Sequence, residues 1–400
     1  MKPLRFLIGG SPCTSWSIAK ANRETVPSGK GWKLFENFLI ARQKFNPDFF
    51  LYENNKSISG AIKEQISYEL GVPLQYINSA LVSAQNRERF YAHDFGDVPQ
   101  PADRGIILAD ILDSGIAWRE KSYCLTASYA GAVIHDTLKR KRKTMAAELI
   151  RIGTAESPDA KNPGAKNPGA KNRQSHDSHA GSRYRVYSPH GKSVTLMDEG
   201  GGVGAKTGLY TVPMPYNPTA DDTRNAASFR EQNNTVSETA ETAKPKTPPK
   251  QIYEVKNGAI EIKGVNYPIK LPDGFYVIRK LTVTECERLQ TLPAGYCSAS
   301  GVSAAQCYKG LGNGWTAEVI IHLLSYALQN VPKDTPVTVL SMYDGIGTGR
   351  YCFDMLGYSN IKYFAYEIDN YAMTIAAHNY PDIMQCGDAF GVRERLGFLD

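Results

Sequence analysis

The sequence predicts an α/β fold built around a mostly parallel sheet. Three observations carry that prediction. Short apolar runs alternate with longer segments of helical period over residues 1–115. The same rhythm returns from about residue 278. In both segments a glycine-rich turn follows an apolar run directly, at IGGSPC (8–13) and MYDGIGTG (342–349), where a strand of such a fold hands over to a helix.

Taken in order, LRFLIGG (4–10) reads as a strand and GKGWKLFENFLIARQKF (29–45) as a helix with apolar positions at 3.6-residue spacing. DFFLYENN (48–55) is a second short buried strand, SGAIKEQISYELG (59–71) a helix closed by Gly71, and PLQYINSALV (73–82) a further extended run. Residues 116–150 are less regular. Residues 155–185 hold the tandem AKNPGAKNPGAKN, and residues 217–250 end in AKPKTPPK. Both stretches are poor in large apolar groups, and their composition predicts disorder. Between them, residues 182–212 read as a small β unit with Gly turns. EKSYCLTASYAGA (120–132) and GKSVTLMDEGGGVGA (191–205) share Lys-Ser-x-x-Leu before a Gly-containing turn. Two such hairpins present Lys121, Ser122, Lys192 and Ser193 to one phosphate backbone, unless both are ordinary hairpins. LTVTECERLQTL (281–292) reads as a helix capped by Thr284, and GWTAEVIIHLLSYALQN (314–330) as a strongly amphipathic one. A strand, a glycine turn, a helix and a second strand ending at Glu367 follow. The expected organisation is thus 1–115, a distinct region 116–275, and a second regular segment 276–400, which the resemblance given below implies is the remaining half of the first domain.

The chain has 400 residues, 42% of them hydrophobic, enough for a sizeable core. No apolar run reaches membrane-span length, and the N-terminal apolar segment is too short for a secretory signal, so a cytoplasmic chain without membrane association is expected. The 7 cysteines form no Cys-x-x-Cys pair, which argues against a disulfide framework and a zinc site; no metal is expected. Net charge is +6, yet residues 135–185 alone hold 12 Lys/Arg against 5 Asp/Glu, including the run Lys139–Lys143. A local basic surplus suits a phosphate backbone or a solvated arm.

Asp344, Gly345, Gly347 and Gly349 stand at the mouth of a strand, where glycine lets a ligand approach the backbone. Glu367 ends the next strand and can accept hydrogen bonds from two ribose hydroxyls; Asp388, in QCGDAF, can accept from an adenine amino group. Three acidic strand ends on one sheet edge make a nucleoside site. The pyrophosphate-binding pattern G-x-G-x-x-G is absent, and Asp344 beside the turn suits a cation, which favours S-adenosylmethionine over NAD.

In these motifs the chain resembles the DNA (cytosine-5) methyltransferases. GGSPCTSWS resembles that family's nucleophile loop in the Ser-Pro-Cys form of its de novo branch; FLYENN resembles the Glu-Asn-Val motif with Asn55 in place of Val. SAQNRERFY resembles the Gln-x-Arg-x-Arg motif through Gln85, Arg87 and Arg89. LTVTECERLQTLPAGY and YKGLGNGWTAEV are similar to the family's last two motifs, SMYDGIGTG and YEID to its first two. The usual order places the cofactor half first. Here the nucleophile half leads, as in a circular permutant or in a stretch spanning two tandem copies.

The resemblance implies a Rossmann-like S-adenosylmethionine-dependent methyltransferase sheet with residues 116–275 as an inserted, partly disordered target-recognition region. It implies Cys13 as the nucleophile at cytosine carbon 6, helped by a local positive field, and Glu53 as the proton donor to ring nitrogen 3, its carboxyl raised by apolar neighbours. Arg87 and Arg89 would hold the base carbonyl, a phosphate or Glu53. The cofactor set is Pro12, Asn313, Tyr343, Asp344, Gly345, Ile346, Gly347, Thr348, Glu367, Ile368 and Asp388. Ser17, Gln85, Lys121, Ser122, Lys192 and Ser193 would contact nucleic acid. The partner expected is double-stranded DNA with an everted base, bound by a monomer in a bacterial or phage-infected cell. Methylation of RNA cytosine, or a silent DNA-binding relative, are the alternatives.

Overall fold

Leu4–Gly9 forms strand β1 because its apolar run, at the centre of a sheet, buries both faces. The computed structural model describes residues 3–18, 20–150 and 251–394, with the backbone of 186–187 and 209–210. They fall into two compact units. The first holds residues up to Ile111, Glu120–Thr144 and everything from Leu281; the second holds Leu112–Arg119 and Met145–Lys280. The tandem repeat, Lys192, Ser193 and residues 217–250 lie outside the described residues.

In the first unit β1 is followed by α1 (Gly29–Phe45), β2 (Phe49–Asn55), α2 (Gly60–Leu70), β3 (Gln75–Asn78) and β4 (Glu88–His93). After Leu281 come α3 (Val283–Leu289), α4 (Ala304–Asn313), α5 (Ala317–Ala327), β5 (Val337–Met342), α6 (Thr348–Met355), β6 (Ile361–Tyr366), α7 (Asn370–Asn379) and β7 (Met384–Gly387). The strands make one 7-stranded sheet in the order β7-β6-β5-β1-β2-β4-β3. Strands β7 through β2 are parallel; β4 runs antiparallel to β2 and β3. The first and last segments of the chain therefore share a sheet, joined where Leu4–Gly9 pairs in register with Val337–Met342.

Alternation along the strands sorts the side chains onto two faces. Leu7, Phe50, Tyr52, Phe90, Leu340 and Met342 turn to one face, where the α1 stripe Phe35, Phe38, Ala41, Phe45 and the α2 stripe Ile62, Ile66, Leu70 cover them. Each of these large side chains is fully or almost fully buried, worth about 1.5–3 kcal/mol apiece relative to water. On the other face Phe6 meets Phe353 of α6 edge to face, at 5.2 Å between centroids.

Some expected features fall elsewhere. The α3 cap is Thr282, not Thr284: Thr282 accepts from the Glu285 amide while the Glu285 carboxylate accepts from the Thr282 amide, a reciprocal box that satisfies two orphan donors. The extended run 73–82 is strand only over Gln75–Asn78, because the Asn78 side chain accepts from the Ala80 amide and turns the chain into a 3-10 turn. Glu120–Thr144, expected with the middle region, lies in the first unit. The second unit carries a 5-stranded sheet in which Ile252–Lys256, Ala259–Ile262, Val265–Pro268, Gly274–Lys280 and Met145–Leu149 pair antiparallel. Within it Arg279 binds the Glu148 carboxylate at 2.8 Å.

Candidate active site

One row of paired residues organises the site. Tyr52, Gly9, Met342, Tyr366 and Gly387 lie side by side across the five parallel strands. Directly beyond that row, at the C-terminal strand ends, come Glu53, the Cys13 turn, Asp344, Glu367 and Asp388. A parallel sheet delivers its strand ends to one edge, so five distant stretches of sequence meet there.

The Cys13 turn is held from below. Any Cβ at Gly9 would strike the Met342 backbone, and one at Gly10 would come within 2.6 Å of the Glu53 carbonyl and 3.0 Å of its carboxylate. Only glycines fit where β1 leaves the sheet. Ser11, Tyr52 and Asn54 then lock the exit: the Ser11 and Tyr52 hydroxyls bond at 2.7 Å, and the Asn54 amide donates to the Ser11 carbonyl and the Tyr52 hydroxyl, each at 3.0 Å. Cys13–Ser15 form a 3-10 turn, with Trp16 buried after it and donating from its indole nitrogen to Glu24 at 3.2 Å. Glu24 also accepts from the amides of Lys30 and Gly31 at the start of α1, where the helix dipole favours its charge.

Glu53 is fixed by two donors. Arg89 pairs with one carboxylate oxygen through Nε at 3.0 Å, and the Trp315 indole nitrogen donates to the other at 3.1 Å. Burial, and then the Glu53 charge, push the Cys13 thiol above its ordinary value; Arg89 and Arg87 pull it down without cancelling the rise. The positive field expected at Cys13 is present but outweighed. Arg87 is buried and donates through its two terminal nitrogens to the carbonyls of Leu125 (3.0 Å), Gly312 (3.3 Å) and Gly314 (2.7 Å), so it fixes the loop that carries Trp315. Its Nη1 also lies 3.3 Å from the Cys124 sulfur, which Arg89 Nη2 approaches at 3.8 Å. Burial pushes the Cys124 thiol up, but the two guanidiniums overcome that and hold it below its ordinary value.

At the neighbouring strand ends, Asp344 accepts from the Tyr363 hydroxyl at 2.6 Å through Oδ1, while its Oδ2 is buried with no partner among the described residues. Burial raises its carboxyl to about 6; Glu367 adds to the rise, and the Tyr363 and Ser341 hydroxyls oppose it. Thr348 has a buried hydroxyl that is likewise unpartnered. Glu367 accepts from the amides of Gly345, Ile368 and Asp369 at 2.7–2.8 Å. Asp388 is exposed and caps the following turn, accepting from the Phe390 amide at 2.9 Å. Ile368 and Phe390 stand exposed on the same edge, 69% and 39% accessible. Ile346 is buried, with its carbonyl bound by the Tyr296 hydroxyl; Gly347 caps α6. Tyr343 turns its hydroxyl away to the Leu34 carbonyl of α1, at 2.7 Å, leaving only its backbone at the edge.

Several expected contacts are corrected. Gln85 is fully buried: it donates to the Leu289 carbonyl and the Gln290 side chain and accepts from the Leu125 amide, so it stitches the core and offers nothing to nucleic acid. Lys121 spends its ammonium on the carbonyls of Ala80, Ser83 and Ile106, and Ser122 is buried, donating to the Tyr123 carbonyl. Neither can face a phosphate. Within the basic run, Arg140, Arg142 and Lys143 gather on buried Asp136; burial alone would raise that carboxyl, but the two arginines bring it down to about 2. Lys139 and Lys141 remain exposed. Pro12 is exposed and Ser17 half-buried beside the Cys13 turn, and Asn313 is exposed at the end of α4. Trp315 and Cys124 were not singled out by motif. The signal for Trp315 is its place two residues after Asn313 in GLGNGWT; Cys124 carries none.

A profile of the C-5 cytosine-specific DNA methylases matches residues 2–327. The chain is 25% identical over 377 residues to the orphan methyltransferase M.SPRI of Bacillus phage SPR, covering 79% of this chain and 80% of that protein. Among solved structures it is similar to the Entamoeba histolytica methyltransferase EhMeth at 12% identity and a TM-score of 0.38, over 82% of this chain and 78% of that one. The S. pombe Dnmt2 methyltransferase is similar at 14% identity and a TM-score of 0.32, over 81% and 78%.

Proposed function

The chain belongs to the C-5 cytosine-specific DNA methylase family, and from that premise we propose that it methylates carbon 5 of cytosine in duplex DNA through a covalent adduct between Cys13 and an everted base. Family membership makes S-adenosylmethionine the methyl donor. The observation that carries the rest is the convergence of Cys13, the braced Glu53–Arg89 pair and the acidic strand ends on one sheet edge.

The edge fits the donor. The Asp344 oxygen and Thr348 hydroxyl lie buried behind the edge with unmet hydrogen-bonding capacity, which places polarity and negative charge beneath a cationic ligand; Glu367 supplies a carboxylate for ribose hydroxyls, and exposed Ile368 and Phe390 offer apolar contact to a purine. When bound, S-adenosylmethionine supplies an electrophilic methyl group. The chain's own residues prepare the base. Cys13 forms a bond from sulfur to carbon 6, which pushes electrons through the ring toward nitrogen 3. The proton that the Cys13 thiol gives up passes to the Glu53 carboxylate and from it to nitrogen 3, and Arg89 and Trp315 keep that carboxyl in place. The two events are coupled. Because the Glu53 charge helps hold the Cys13 thiol up, engaging Glu53 with the base removes part of that penalty and favours the thiolate when substrate is present. Once carbon 5 carries the methyl group, its proton leaves to water, the 5,6 double bond re-forms with expulsion of the Cys13 thiolate, and nitrogen 3 returns its proton to Glu53.

In this reading the chain is a circular permutant of the Ser-Pro-Cys type, supported by the place of β1 between β5 and β2. Residues 116–275 carry target recognition. DNA is favoured over RNA because the matched family is described by DNA. Transfer of a labelled methyl group to DNA and to RNA tests the proposal. DNA is expected to be labelled, and Cys13→Ser to lose transfer while still binding the donor. Equal transfer by Cys13→Ser sinks the covalent mechanism; labelling of RNA alone sinks the DNA assignment.

A further inference from the structure

A cleft of about 680 Å³ opens beside the Glu53–Arg89 pair, lined among others by Asn55, Lys56, Asn86, Glu88, Arg89 and Cys124. All six belong to the first unit. The volume is that of a site for a nucleotide-sized ligand. Its lining residues are polar or charged apart from a single thiol, yet most of the surface they present is carbon, so it suits a flat ligand with polar edges, as a nucleobase is. No described side-chain partner engages the amides of Asn55 and Asn86. Asn86 is exposed and Asn55 half-buried. A free amide pairs a donor with an acceptor, the pattern that reads a base edge bidentately. At the rim Lys56 pairs with Glu88 at 2.8 Å, both about half exposed (48% and 51%). Such an ion pair contributes little, about 0–1 kcal/mol, so its lysine can turn to a phosphate at small cost. Arg89 joins the cleft to the site already described, since the same guanidinium binds Glu53.

We propose that this cleft receives the nucleotide adjoining the everted cytosine in the target strand, with Asn55 and Asn86 on its base edge and Lys56 on its phosphate. The proposal rests on the function argued above and adds a specificity-determining subsite to it. It also gives Asn55 a role, at the position where the family pattern carries an apolar valine. Arg89 then touches both subsites: one edge of its guanidinium braces Glu53, the other faces the neighbouring nucleotide.

The native thiols report on the cleft without mutation. Iodoacetamide labelling of the full chain, read peptide by peptide, follows Cys13 and Cys124 separately, with and without a duplex DNA of random flanking sequence. DNA is expected to block both. Labelling of Cys124 at the free rate while Cys13 is blocked overturns the cleft assignment and leaves the proposed function standing. Labelling of both at the free rate removes DNA from both sites and overturns the two together. Blocking of Cys124 by single-stranded RNA but not by DNA also overturns the assignment as stated. In a second arm, Asn55→Ala and Asn86→Ala are each expected to raise KM for DNA about tenfold, the loss of one base-edge contact. Their affinity for S-adenosylmethionine stays where it was. Bisulfite sequencing of the methylated library is expected to show relaxed preference at one position beside the modified cytosine. An unchanged KM together with unchanged flanking preference in both variants refutes the subsite.

Discussion

Asp344→Asn isolates a charge that the fold tolerates at a cost. Burial holds the Asp344 carboxyl at about 6 against an ordinary 3.8. That rise corresponds to about 3 kcal/mol by which the ionised side chain disfavours the folded state once pH exceeds 6. The sign follows from proton counting. Between 3.8 and 6 the folded chain holds a proton that the unfolded chain has released, so stability falls as pH rises through that window and levels off above it. Asparagine has no charge to bury and still accepts from the Tyr363 hydroxyl at Oδ1. Urea unfolding of both proteins without the donor, followed by tryptophan fluorescence at pH 4.5 and pH 7, gives the comparison. The variant is expected to gain about 2 kcal/mol on wild type between the two pH values, because about a third of the penalty is already present at the lower one. Groups common to both proteins cancel. The compensation is the cationic methyl donor: wild type is expected to bind S-adenosylmethionine more weakly as pH falls below about 6, and the variant weakly at every pH. Identical pH dependence of stability in the two proteins, or tight donor binding by the variant, refutes the role given to this carboxylate.

The other predictions concern the nucleophile edge. Alkylation followed against pH is expected to reach Cys124 first, at half-labelling below pH 9.0, and Cys13 only above it, because the arginines win at one thiol and burial with Glu53 wins at the other; the reverse order contradicts both assignments. Trp315→Phe removes the indole donor to Glu53 and is expected to lower kcat by about 10- to 100-fold, the value of a hydrogen bond to a charged group, with donor affinity unchanged by calorimetry. An unaltered kcat would release Trp315 from the site. Gly10→Ala forces the Glu53 backbone to move and is expected to cost about 1–3 kcal/mol of stability as well as activity; wild-type unfolding midpoint and rate would show that the close approach is not required.

Much of this was legible in the chain itself. The α1 and α2 stripes, the buried strands and the glycine turns follow from local pattern, because a helix or strand must bury its apolar face whatever it meets. The acidic strand ends were legible for the same reason: once the sheet is parallel, residues just past each strand arrive at one edge. Cys13, Glu53 and Arg89 were named because the short motifs that carry them resemble those of a known family.

What spacing could not give was the partner of each polar group. Gln85 and Lys121 look like surface residues in the sequence, yet Gln85 is satisfied by Leu289 and Gln290, some two hundred positions away, and Lys121 by three loop carbonyls. Trp315 reaches Glu53 from 262 positions away, and Arg87 spends its charge on carbonyls that hold the Trp315 loop. Local pattern decides which groups are apolar enough to be buried. Only the assembled structure decides which buried polar groups find each other, because those hydrogen bonds join residues that no sequence period connects.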